Sequence, residues 1–272
     1  MPSPTGSTAV ISPHLDDAAL SCWSLLTDEN AAVVNVFAGV PASGVVGEWD
    51  RVVGSDDGAS LVAERRCEDR AALATTQCKI VCLDFVEPQY GGEDADADVA
   101  SAIVSVLNDS SELVVPAGIG GHPDHLHVRA VGLRLAAAAH VPVRLYAELP
   151  YAAAFGWPNW VSGASVSGRL DVDAYWDLFL KDELWNWRRL KRDVRRLGAD
   201  ERAAKVACLE RYETQFPLLN GGPLERLRNP AIIGFEVFLT VPTNILPSQA
   251  SEPSRSRLRR LFRLQEPPNV TG

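Results

Sequence analysis

The sequence predicts an α/β protein: a Rossmann-like, doubly wound and mostly parallel sheet with a C-terminal helical/β extension. Three observations carry this. Short apolar runs alternate with helical stretches from about residue 8 to residue 150. The runs are continuously apolar, as in strands covered on both faces, where half-exposed strands would alternate. Beyond Pro150 the rhythm changes and tryptophans crowd together.

In order, Thr8–His14 is an apolar run ending in a polar cluster, and a helix-like stretch follows from about Asp16 to Leu26. Ala31–Gly39, built of Val and Ala with Phe37, reads as a buried strand. A helix over Ala59–Thr76, a short strand over Ile80–Phe85 and a helix over Asp96–Leu107 come next, the last with Val99, Ile103 and Val106 on one side. Leu113–Ala117 is a strand, about Pro123 to Ala139 a helix, and Val143–Leu149 a strand. In the extension, helices are expected at about Asp173–Leu190 and Glu201–Gln215, among Trp157, Trp160, Trp176, Trp185 and Trp187. The basic run Arg188–Arg196 reads as a solvated helix face. Residues 1–247 form one domain on this reading, with a core at about 8–150 and an extension at about 151–247; the Ser/Pro-rich segment 248–272 is a loosely held tail.

Composition narrows the function classes. With 272 residues, 46% of them hydrophobic and 22% charged, the chain can bury a sizeable core and is not a disordered one. Lys+Arg 26 against Asp+Glu 35 leaves a net charge of -9, which argues against a nucleic-acid partner. No apolar run approaches the roughly 18 residues of a membrane span. The N-terminus lacks the basic and hydrophobic regions of a signal peptide. The five cysteines show no paired knuckles and suit reduced thiols. The expectation is a cytoplasmic protein with neither a membrane nor a nucleic-acid partner, acting on a small molecule.

The chemistry lies at the ends of two strands. The first ends in Ser12-Pro-His-Leu-Asp-Asp17, where a dinucleotide-binding sheet would carry its glycine-rich turn. An imidazole and two carboxylates stand there instead. The fourth ends in Pro116-Ala-Gly-Ile-Gly-Gly-His-Pro-Asp-His-Leu-His127. If the two strands are close, His14, Asp17 and His125 can converge on one ion. Two histidines and a carboxylate leave a tetrahedral metal one position for water, the catalytic pattern for zinc, and the same donors suit Fe(II). Asp16 is then free to act as a base, His122 as an acid or oxyanion donor, and Asp124 as the group that holds His122 and raises its pKa. The bland alternative for Asp16 or Asp17 is a helix N-cap. His127 and His140 are read as packed or surface residues.

Pro13-His14-Leu15-Asp16-Asp17 followed by His122-Pro123-Asp124-His125 resembles the paired motifs of the PIG-L/LmbE-like zinc deacetylases. The resemblance implies Zn2+ held by His14, Asp17 and His125, with Asp16 as general base and His122 as acid or oxyanion stabiliser. Glu64-Arg-Arg-Cys-Glu-Asp-Arg70 is similar to a family helix whose arginine contacts sugar hydroxyls, here Arg65, paired with Glu68. Asp84–Tyr90 stands where the family has a substrate-facing loop, and Lys205 with Tyr212-Glu-Thr-Gln215 resembles its K…Y-x-x-Q segment. Val36–Pro41, Trp49-Asp50 and Glu148–Ala152 are similar to segments of the antibiotic-biosynthesis members. The family's mobile tyrosine has no counterpart at Gly120.

The implied activity is removal of an N-acetyl group from an N-acetylglucosaminyl-bearing small molecule, such as 2′-N-acetylparomamine or a glycopeptide pseudoaglycone. A mycothiol-type N-acetylglucosaminyl-inositol deacetylase, a thiol-conjugate amidase and a sugar-binding protein retaining the fold are the alternatives. The pocket is expected from the loops around Val40–Ser60, Glu87–Asp98 and Ala152–Ser167. The stretch Asp84–Asp98, with six carboxylates and no Lys or Arg, reads as a solvated acidic loop or as a field that attracts a polycationic aminocyclitol.

Overall fold

A computed structural model describes residues 7–93, 96–106, 110–163, 171–181, 187–221 and 225–246. Seven strands, β1 (Ser7–Ser12), β2 (Ala31–Asn35), β3 (Lys79–Cys82), β4 (Ser110–Pro116), β5 (Val143–Tyr146), β6 (Lys191–Arg196) and β7 (Phe235–Val241), form one sheet in the order β3-β2-β1-β4-β5-β7-β6. The first five are parallel. β7 runs antiparallel to β5, and β6 antiparallel to β7. The helices used below are α1 (Asp17–Ser21), α2 (Trp23–Leu26), α3 (Glu48–Val53), α4 (Gly58–Leu73), α5 (Asp96–Val106), α6 (Pro123–Ala139), α7 (Asn159–Ser162), α8 (Val172–Leu180) and α9 (Ala199–Leu209).

The sheet's centre is aliphatic because both faces are covered. Val10 pairs with Val33 on one side and Val114 on the other, and Leu113 with Val143, all five fully or almost fully buried. From β1 the chain crosses to β2 on one side, whereas from β4 it crosses to β5 on the other. The loops leaving β1 and β4 therefore diverge and open a crevice at the carboxyl ends of these strands. His14 and His122–His125 lie in those two loops.

Three local readings are corrected. The stretch Asp16–Leu26 is two short helices, because the N–H of Ser24, which a continuous helix would send to Leu20, donates instead to Glu236 Oε2 at 3.0 Å. Arg188–Arg196 is a turn leading into the edge strand β6 rather than a helix face. Arg188, Arg192 and Arg196 lie over aromatic rings, Arg192 at 4.2 Å from the Trp160 centroid, and charge along an edge strand discourages pairing with another chain. The helix expected to reach Leu190 ends at Leu180. Trp157, Trp160, Trp176 and Trp187 pack ring to ring, and each indole N–H finds an acceptor. Trp185, the side chain of Val106 and the segment 248–272 lie outside the described residues. No helix of the described residues is long and apolar enough to cross a membrane.

One polar contact ties the extension to the parallel half. Lys205 Nζ on α9 meets Glu236 Oε1 on β7 at 2.6 Å, both side chains wholly buried. The other Glu236 oxygen is the acceptor for Ser24, so one carboxylate joins α9, β7 and α2. Removing the cation strands a buried anion, a loss of about 3–5 kcal/mol. Lys205→Met is expected to lower the urea midpoint accordingly, and Lys205→Met with Glu236→Leu to recover part of it. A single mutant as stable as the wild type would show that the pair contributes nothing.

Candidate active site

The loop after β1 is built so that its carboxylates are not used up as helix caps. Ser12 Oγ accepts the N–H of Ala18 at 3.1 Å and donates to the carbonyl of His14 at 2.6 Å. Asp16 stands at the N-cap position of α1 yet makes no capping bond with its side chain. The serine has taken that task, a role its place in the sequence gave no sign of. Asp17 Oδ2 accepts the N–H of His14 at 2.9 Å, which folds the imidazole back toward the carboxylates.

The loop after β4 turns on glycines. Gly118, Gly120 and Gly121 all have positive φ. Glu148, fully buried at the end of the β5 loop, accepts the N–H groups of Gly118 and Ile119. At Gly120, with φ +95°, a Cβ would come within 2.7 Å of Tyr151 Cβ. The tyrosine ring lies edge-on to His125, with centroids 5.9 Å apart. A tyrosine absent at position 120 thus enters the same cavity from the next loop. His122 caps α6, its Nδ1 accepting the N–H of Asp124 at 3.3 Å, with Pro123 in the first turn.

His14, Asp17 and His125 converge. His14 Nδ1 to Asp17 Oδ2 is 3.2 Å, His125 Nε2 to the same oxygen 3.2 Å, and His125 Nε2 to His14 Nδ1 3.4 Å. Ligands about 2.0–2.1 Å from a tetrahedral zinc stand roughly 3.3–3.4 Å apart, so this triangle fits such an ion. His122 can join His14 and His125 around an ion, and Glu87 and Asp124 form a further donor group with His14. Each imidazole of the triangle has a carboxylate at its other nitrogen, Glu148 Oε1 at 3.4 Å from His125 Nδ1 and Asp124 Oδ2 at 3.0 Å from His14 Nε2. That is the arrangement that fixes tautomer and ring orientation in metal sites. Asp124, expected to hold His122, is 3.9 Å from that ring and orients His14 instead.

The electrostatics separate the two adjacent carboxylates. Burial, with the negative neighbour Asp17, raises Asp16 to about 6. Burial pushes Asp17 the same way, but the His125 and His14 imidazoles override it and hold Asp17 far below the usual carboxylate range. Burial, then the charges of His14 and His125, lower His122 to about 3 and outweigh the opposing pull of Asp124. The expected rise of the His122 pKa is therefore reversed. An uncharged imidazole whose Nδ1 accepts the cap bond carries its proton on Nε2.

These groups face one cavity of about 340 Å³. Arg65 on α4 lines it, only 4% exposed, and its Nε and Nη2 have no hydrogen-bond partner. Glu68, expected to pair with Arg65, instead accepts Thr214 N at 2.8 Å and Thr214 Oγ1 at 2.7 Å. Of the carboxylates in the acidic stretch 84–98, Glu87 alone among the described residues lines the cavity, beside Pro88 and Gln89, while Asp84 pairs with Arg66 and Asp96 with Arg134 and His127. Gln89 links Glu87 to the backbone of Trp49, and Tyr90 donates to buried Asp50 at 2.6 Å, so α3, which begins with Glu48 and Trp49, is docked at the rim. The third expected loop, Ala152–Ser167, contributes no lining residue among its described residues; Leu149, Pro150 and Tyr151, just before it, line the cavity there. Gln215, from the extension, was legible only as part of a motif, and Glu148 likewise.

Fold, crevice and donor set together define a class. Residues 9–136 match the family model described as PIG-L, GlcNAc-PI de-N-acetylase, and over this part the chain is similar to that family. It is similar to the 2′-N-acetylparomamine deacetylase of Streptomyces fradiae, 29% identical over 169 residues, which span 54% of this chain and 58% of that relative. Two solved structures superpose on 90% of this chain and on the whole of their own. One is a triple mutant of a deacetylase of the teicoplanin biosynthetic pathway, with a TM-score of 0.66 and 28% identity. The other is teicoplanin deacetylase in a zinc-inhibited form, with a TM-score of 0.65 and 26% identity.

Beneath the cavity, Asp69 accepts Tyr212 Oη at 2.8 Å and the Asn35 amide at 2.8 Å, and burial raises it to about 7. The folded state therefore holds a proton that the unfolded chain releases near pH 4. Its contribution to stability is fully present below that pH and is lost as pH rises through about 7. Asp69→Asn is expected to flatten the fall in unfolding free energy between pH 5 and 7, measured by urea titration (about two pH units of the window). An unchanged slope would mean that Asp69 is ionised in the folded protein throughout.

Proposed function

We propose that this protein is a zinc-dependent N-deacetylase, hydrolysing the acetamide of an N-acetylglucosaminyl-bearing small molecule of antibiotic biosynthesis. The observation that carries the reading is the His14–Asp17–His125 triangle beside an Asp16 whose carboxylate is hydrogen-bonded to none of its side chains, in a cavity lined by an arginine with unpartnered Nε and Nη2. His14, Asp17 and His125 would hold the ion, and what zinc supplies when bound is Lewis acidity, which acidifies water and polarises a carbonyl.

The chain's own groups do the rest. Asp16, with a pKa near 6, is ionised at neutral pH yet basic enough to take the proton of the attacking water. His122, uncharged and protonated on Nε2, offers a hydrogen bond to the oxygen that becomes negative when the amide carbon turns tetrahedral. Asp16 then returns its proton to the departing nitrogen, which leaves as an amine with acetate as co-product. Arg65 presents its unpartnered Nε and Nη2 donors to hydroxyls of the sugar. The Glu48 and Glu87 carboxylates at the wall suit a substrate that carries amino groups, as the likeness to a paromamine-type deacetylase suggests.

Acetate release from zinc-loaded protein tests the reading, with 2′-N-acetylparomamine, an N-acetylglucosaminyl glycopeptide pseudoaglycone and N-acetylglucosaminyl-inositol as substrates. Asp16→Ala is expected to keep about one zinc per chain and to lose roughly 10²–10⁴ in kcat. Asp17→Ala is expected to lose the metal itself. Wild-type turnover by zinc-loaded Asp16→Ala would remove the base assignment, and no acetate from any of the three would remove the activity.

A further inference from the structure

The segment after α9 is pinned to α4 residue by residue. Tyr212 Oη donates to Asp69, and Thr214 donates from both its backbone N–H and its hydroxyl to Glu68. Lys205, seven residues before Tyr212, is fixed by the buried pair with Glu236. The backbone between them is closed by the carbonyl of Tyr212, which accepts the N–H groups of Gln215 and Phe216. Every one of these partners is on another element of the fold except the last.

Gln215 is what this anchoring delivers. Its side chain is 8% exposed and lies in the cavity wall. Its Nε2 donates to Asp16 Oδ2 at 3.1 Å across 199 residues of sequence, while its Oε1 has no hydrogen-bond partner. Asp16 has no side-chain cap bond to orient it, so this amide is the side-chain contact that fixes its carboxylate. We infer that Gln215 is the positioning residue of the general base: it holds Oδ2 so that Oδ1 faces the reacting water, and it belongs to the extension rather than to the parallel half that carries the metal-ligating loops. The inference rests on the reading of Asp16 as the base.

An amide donor to a carboxylate is a charge-assisted bond, and its loss is expected to reduce kcat about 10- to 100-fold. The test compares Gln215→Met, close in shape and without the donor, and Gln215→Glu with the wild type. Expected for Gln215→Met are an unchanged zinc content and melting temperature, a KM within about twofold, and the fall in kcat. Gln215→Glu, which sets a third carboxylate beside Asp16 and Asp17, is expected to be slower still. In an Asp16→Ala background Gln215→Met is expected to add no further loss, because it acts through the group already removed.

A raised KM with unchanged kcat would instead make Gln215 a substrate contact and overturn the inference. So would an additive loss in the double mutant. A crystal structure of Gln215→Met supplies a readout that does not depend on turnover: the Asp16 carboxylate is expected to rotate from its wild-type orientation. An Asp16 that stays in place sinks the positioning role even if no substrate is turned over, whereas acetate release absent from the wild type itself counts against the activity and not against Gln215.

Discussion

Two adjacent carboxylates buried at the start of one short helix set the terms for everything around the cavity. Asp16 and Asp17 are each at most 6% exposed, and burying two like charges side by side is costly unless each acquires different company. Asp17 receives it from two imidazoles and the N–H of His14. Asp16 receives the Gln215 side-chain amide, and its pKa stays raised to about 6. One residue thereby becomes a permanent anion suited to a cation, and the other a group that can exchange a proton near neutral pH. The difference does not come from the two side chains, which are identical, but from what β4, α4 and the C-terminal extension bring to each.

This explains what could be read from the sequence and what could not. The alternation of strand and helix, the switch between β1 and β4 and the meeting of His14, Asp17 and His125 were legible, because each depends on residue type within a short window or on a general rule of sheet order. The shorter strands and the break at Cys22 were not. The break depends on Glu236, more than 200 residues away, capturing one backbone N–H. The edge strand β6 was hidden because a run of arginines looks the same on a helix face and on a strand from which Arg192 lies over two tryptophans. At the site the failures have the same origin. Asp124 faces His14 rather than His122, and Glu68 faces Thr214 rather than Arg65. Motif spacing tells which residues gather, but which pairs form is settled by side-chain direction in the folded chain.

The extension is therefore more than a cover for the open side of the sheet. β7 pairs with β5 and so fixes the strand whose following loop carries Glu148 and Tyr151, and through Glu236 it reaches back to α2, directly after α1. From β5 outward, Glu148 shapes the glycine turn after β4 and backs His125, so one buried carboxylate sets both the backbone and the imidazole of the second loop. The chain from Lys205 to Gln215 closes the cavity from the other side. A site assembled in this way draws on both parts of the chain: the parallel half presents His14, Asp17 and His125, and the extension supplies the amide that contacts Asp16.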